Sequence, residues 1–148
     1  MILETAVLVI QSLASGMMCG IIWFLQAVHY PLFAAVLGPQ GGAYAELNRS
    51  RTARVVLPPM ILEAMAAIWL VIRPPAAVGR PVAVLGLGAV AALWLSTLAV
   101  QIPLHVRLGR EGSNHEVVGR LVQSNWLRTI LWTARAVMAV WMLAAGRP

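Results

Sequence analysis

The chain has 148 residues, 60% of them hydrophobic and 11% charged, with a mean hydropathy of +0.80. An ordinary soluble domain is about one quarter charged, so these values exclude that class and read as an integral membrane protein. The net charge of +6 comes from arginines that cluster beside apolar runs, where membrane loops collect them; with no soluble basic domain, nucleic-acid binding is excluded as well.

The N-terminal sequence Met-Ile-Leu-Glu lacks the positive start of a secretory leader and stays apolar beyond a leader's core, so the first span is expected to be retained. That span, about 5–37, is longer than the about 20 residues a bilayer needs. Cys19 within it reads as a small packing residue, and a lone cysteine excludes an internal disulfide or a CxxC motif. Gly16 and Gly20 have GxxxG spacing, which lets a helix approach closely and is the candidate face for a homo- or hetero-oligomer. Further on, Gln26, His29, Tyr30 and Phe33 share a face, and Pro31 loosens the backbone beside them.

Gly38, Gly41 and Gly42 predict a loop, followed by an amphipathic segment carrying Tyr44, Asn48 and Arg51 at helical spacing. Span two, about 55–72, contains Pro58 and Pro59, which free backbone carbonyls and predict a kink; Glu63 lies one turn beyond. A short Arg/Pro-bounded connection leads to span three, about 81–104, rich at first in glycine and alanine and then carrying Trp94, Thr97, Gln101 and His105 on one stripe. Gly109 to Gly112 form a turn, and Ser113 with Glu116 fits a capping box for the last helix. Span four, about 122–145, carries Asn125, Arg128, Trp132 and Arg135 on one stripe. Spans one and two do not align convincingly with spans three and four, so no internal repeat is read.

The predicted fold is therefore all-α: a single transmembrane domain forming a four-helix bundle, with a kinked second helix and helix extensions on the cytoplasmic side. The loops after spans one and three hold six arginines (Arg49, Arg51, Arg54, Arg107, Arg110, Arg120) against three (Arg73, Arg80, Arg147) on the other face. This asymmetry predicts a bacterial inner membrane protein with both termini periplasmic.

Counting inward from the cytoplasmic ends puts His29, Glu63, Gln101, His105, Asn125 and Arg128 in one layer, where unpaired charge costs several kcal/mol. One reading of that layer is structural: Glu63 and Arg128 form a buried ion pair, trimmed by Gln101 and Asn125, that fixes register in a non-catalytic subunit or assembly factor. The other is a site that binds or transforms a lipophilic molecule. In a cofactor-free version His29 or Glu63 accepts a proton, Arg128 and Asn125 stabilise an oxyanion, and Tyr30 or Trp132 holds a ring; were a cofactor bound, Gln101 and Trp132 would contact it. In a metal version His29, His105 and Glu63 are ligands from separate helices, and haem would use His29 and His105. An enzyme of this kind would be a membrane oxidoreductase or oxygenase; the expected partners are membrane lipids and a lipophilic small molecule.

The elements WFLQAVHYPLF, RVVLPPMILEA, WLSTLAVQIPLH and LVQSNWLRTILWTAR together resemble a set of small bacterial four-span membrane proteins, over most of the chain. Where the resemblance implies a histidine in a Tyr-x-x-x-His-x-x-Arg pattern, Asn48 stands between Tyr44 and Arg51, so a metal ligand at that place would be missing here. More remotely, the four-span layout and the Asn-x-x-Arg of the last helix look like the DUF1772 group with its anthrone-oxygenase-like members, which implies cofactor-independent oxygenase chemistry on polycyclic aromatic substrates.

Overall fold

The computed structural model describes residues 2–36, 38–112 and 114–146. Four long helices account for nearly all of them: α1 (Ile2–Ala35), α2 (Gly38–Ile72), α3 (Arg80–Glu111) and α4 (His115–Ala145). Each is long and apolar enough to cross a membrane. At about 1.5 Å per residue they run well past the ~30 Å hydrocarbon core and extend beyond it at the ends. Helix α1 packs on α2 and α4, and α3 packs on the same two, so α1 faces α3 and α2 faces α4 across the bundle's diagonals.

The distribution of polarity is that of a membrane protein turned to lipid. Leu13, Met65, Leu85, Leu95, Ile130 and Val137 are exposed, while Gln11, Glu63, Gln101, Asn125, Arg128 and Arg135 are buried. In water the reverse arrangement holds; in hydrocarbon only the interior offers hydrogen-bond partners. Trp23, Trp126 and Trp141 stand on the outer surface, and Trp132 alone among the tryptophans is fully buried.

The expected loop at Gly38 to Gly42 is instead the start of α2, which continues without interruption through the amphipathic segment and span two. Its glycines serve close approach: a Cβ at Gly42 would lie 3.1 Å from the Gly109 carbonyl oxygen, and one at Gly112 2.9 Å from that of Gly38. Gly112 also has φ +78°, a conformation glycine adopts without strain. The start of α2 therefore rests on the end of α3.

Helical winding changes in α1, beside the Pro31 that sequence singled out, and in α3, where sequence pointed instead to α2. A turn of π-helix occupies Leu25–His29, just before Pro31, and another occupies Thr97–Gln101, just before Pro103. A proline ring clashes with the carbonyl four residues back, and a widened turn there gives it room. Pro58 and Pro59 lie within the continuous run of α2.

The N-cap of α4 is Asn114, whose Oδ1 accepts from Val117 N at 2.9 Å, where Ser113 had been expected. Glu116, the expected partner in that box, pairs with Arg120 at 2.9 Å. Ser113 and Arg147 lie outside the described residues.

Candidate functional site

The polar interior divides into two levels, and Glu63 and Arg128 are on different ones. Glu63 pairs with Arg135: Arg135 Nε is 3.0 Å from Glu63 Oε1, and the two side chains are 0% and 1% exposed. Ser15 Oγ donates to the same carboxylate oxygen at 2.6 Å, and Arg135 Nη2 donates to Gln11 Oε1 at 2.6 Å. Gly86 leaves space for the guanidinium, since a Cβ there would be 3.3 Å from Arg135 Nη1. Arg128 is two turns away from Arg135 on the same helix, about 10 Å along the axis. Counting depth from residue 55 placed Glu63 too near the α1–α2 turn, because α2 begins at Gly38.

The second level is built from α1, α2, α3 and α4 together. Asn125 Nδ2 donates to Gln26 Oε1 at 2.9 Å, and Arg128 Nη1 donates to Asn125 Oδ1 at 3.2 Å. Gln26 in turn donates to the Val122 carbonyl at 3.2 Å. These bonds hold Arg128 in one orientation. The Tyr30 hydroxyl lies 3.3 Å from His105 Nε2, and their rings meet edge to face at 5.4 Å. His29 Nε2 donates to Asn48 Oδ1 at 2.8 Å, and Thr52 Oγ1 donates to the same oxygen at 3.0 Å. Asn48, at the position where the resemblance implies a histidine, is thus the partner of His29.

A cavity of ≈ 150 Å³ opens in this level between α2 and α3. Tyr30, Gln101, His105 and Arg128 give it polar groups, joined by Asn48, Arg49, Thr52 and Thr97, and Leu25, Val56, Leu57, Met60 and Ile102 give it apolar walls. Leu57 and Ile102 are 43% and 41% exposed, so the opening faces the lipid side of the bundle. Three buried polar atoms on residues lining it have no partner in the protein: Gln101 Oε1, His105 Nδ1 and Arg128 Nε. Gln101 Nε2 is satisfied by Ser124 Oγ at 2.9 Å, which leaves the amide oxygen alone without a donor. Among the described residues no carboxylate pairs with Arg128, which is 4% exposed. Buried polar atoms are normally bonded, and clusters of exceptions mark a place where something else bonds them.

Of the residues singled out by sequence, Tyr30, Gln101, His105, Asn125 and Arg128 are brought together, with His29 next to them through its contacts with Tyr30 and Phe33. Glu63 is not among them, and Trp132, though 1% exposed, does not line the cavity. The set His29, His105 and Glu63 is not assembled as metal ligands: among the described residues no three His, Cys, Asp or Glu side chains come together in that way. Tyr30 and Phe33 each make ring contacts with both histidines, and His29 and His105 line separate cavities. Gln11 and Ser15 were missed by sequence reading. Their signal was two polar residues four apart, on one face of an apolar span.

Compared with protein-family models, with curated proteins and with solved structures, the chain has no match.

Proposed function

We propose that this membrane bundle binds the polar head of a lipophilic molecule in the Arg128 cavity, its apolar part leaving between α2 and α3 into the bilayer. The observation that carries the reading is the convergence of three unpartnered buried atoms, on Gln101, His105 and Arg128, around one cavity. A guanidinium is a permanent cation, and in a low-dielectric interior an uncompensated one costs several kcal/mol. An oxygen-rich head supplies what this one lacks: a counter-charge, an acceptor for Arg128 Nε, and groups that Gln101 Oε1 and His105 Nδ1 can engage.

The residues divide the work. Asn125, itself held by Gln26, orients the guanidinium. Tyr30 and His105, bonded to each other, present a hydroxyl and an imidazole that can pass a proton to or from a bound oxygen. An oxygenase-like transformation of an aromatic substrate, as the remote DUF1772 resemblance implies, would use the same oxyanion contact at Arg128. In this reading the site lies in the cytoplasmic half of a bacterial inner membrane, with the α1–α2 and α3–α4 turns on the arginine-rich side.

The test is extraction of the purified protein followed by mass spectrometry of what co-purifies. A lipophilic molecule retained in stoichiometric amount by the wild type and lost from a folded Arg128→Gln variant supports binding. Equal recovery from both contradicts it and favours the second reading, a non-catalytic subunit in which the polar layers only fix helix packing. That second reading draws on the Glu63–Arg135 pair, whose charges offset each other inside the protein, and on Glu63 Oε2 and Arg135 Nη1, which are also buried without a hydrogen-bond partner although they do not line the cavity.

A further inference from the structure

The π-turns of α1 and α3 set an offset at which the two halves of the chain match, where sequence alone read no repeat. Ala27, Val28, Pro31 and Leu32 match Ala99, Val100, Pro103 and Leu104, and the π-turns Leu25–His29 and Thr97–Gln101 stand at that same offset. The offset carries on into the second helix of each half, where Trp69 falls on Trp141 and Ala67 on Ala139. Burial follows it too: Met18 and Val90, Phe33 and His105, Met60 and Trp132 are buried pairs. At the same offset Glu63 falls on Arg135, so the ion pair joins equivalent positions across the α2–α4 diagonal. Two α-hairpins related by a pseudo-twofold axis along the bundle account for all of these matches, and side chains that meet their own equivalents mark where the axis runs.

The cavity draws its walls from both halves. It is lined by both members of three equivalent pairs, Leu25 with Thr97, Tyr30 with Ile102, and Val56 with Arg128. A site within one half would contain one member of each. In every pair one residue is polar and the other apolar, so a chamber built by symmetry has lost it in its chemistry. Its buried charge is the Arg128 guanidinium, opposite the apolar Val56 wall; the other guanidinium on the lining, Arg49, is partly exposed and already paired with Glu46.

We propose that the chain is a fused pair of two-helix repeats and that the cavity shared by both takes an amphipath with one anionic head, carboxylate or phosphate, set on Arg128, with its chain running past Val56 and Leu57. This rests on the binding reading above and narrows it to lipophilic monoacids. A neutral ring with two like ends, such as a quinone, would meet one charged wall and one bare one.

The experiment uses full-length protein in detergent, titrated with 11-(dansylamino)undecanoic acid and with its methyl ester. Wild type should bind the acid at least about tenfold more tightly than the ester, the scale of one charge-assisted contact. Arg128→Val should lose that preference, and Arg128→Val/Val56→Arg should regain affinity for the acid to within about threefold, because the charge is moved to the equivalent wall. Size-exclusion profile and circular dichroism establish folding. If Arg128→Val loses the acid and a folded double variant does not regain it, the equivalence of the two walls is wrong while the binding reading stands. If the double variant does not fold, the acid-to-ester ratio decides: equal binding of the two overturns the monoacid. No binding of either, or full binding of both by Arg128→Val, overturns the binding reading itself. Competition by free oleate against phosphatidylglycerol vesicles then distinguishes a fatty acid head from a phospholipid phosphate, displacement by one alone identifying the source.

Discussion

Glu63 Oε1 and Arg135 Nε lie 3.0 Å apart on the bundle's diagonal, each side chain at most 1% exposed. Removing one member leaves the other charge buried and uncompensated beside Ser15 and Gln11, whereas removing both leaves no charge there. Glu63→Gln or Arg135→Leu alone should destabilise the protein by about 3–5 kcal/mol, whereas Glu63→Leu/Arg135→Met should be near neutral. Denaturant unfolding in micelles compares the three; single variants as stable as the double would show that the pair is not what its geometry implies.

Gly86 is the space into which the Arg135 guanidinium fits, with a Cβ position 3.3 Å from Nη1. Gly86→Val should cost about 1–3 kcal/mol, as overpacking does in other cores. In the Arg135→Met background most of that cost should vanish, because the neighbour that is crowded has gone. A double-mutant cycle measures the difference, and additive losses would place the crowding elsewhere.

Gly112 combines φ +78° with a Cβ position 2.9 Å from the Gly38 carbonyl oxygen. Gly112→Ala should cost about 1–3 kcal/mol from backbone strain, before any effect of the contact. Thermal unfolding reads this directly. A Gly119→Ala control, where a Cβ meets open space within a helix, should be neutral or slightly stabilising.

Asn48 Oδ1 accepts from both His29 and Thr52. Its oxygen fixes the His29 proton on Nε2, so nitrogen chemical shifts of the imidazole should report that tautomer in the wild type. Asn48→Leu should give a mixture of tautomers at a stability cost of about 1 kcal/mol. An unchanged tautomer would mean that another acceptor holds the ring.

Much of this was open to a reader of the sequence, and the exceptions have physical causes. The stripe Asn125, Arg128, Trp132 and Arg135 is buried throughout, because a spacing of three and four keeps residues on one helix face wherever the helix begins. Pairing between helices depends in addition on depth, and depth depends on where each helix starts. Reading Gly38 to Gly42 as a loop shifted Glu63 along the membrane normal and gave it the wrong arginine. The glycines there serve close packing on Gly109 and Gly112, which single-chain composition does not distinguish from a turn. The π-turns were invisible for a related reason: they displace one residue in register, less than the tolerance of any periodicity. Gln26 shared a face with His29 in sequence, but only the fold reveals that it holds Asn125 and so fixes Arg128.

The most direct measurement is photo-crosslinking with a fatty acid carrying a diazirine beside its carboxylate, mapped residue by residue. Labels on Tyr30, Gln101, His105 and the Arg128 segment, abolished by Arg128→Gln, are the expected result. Labels confined to outward residues such as Leu127 and Ile130, and unchanged in Arg128→Gln, would contradict a ligand head at Arg128.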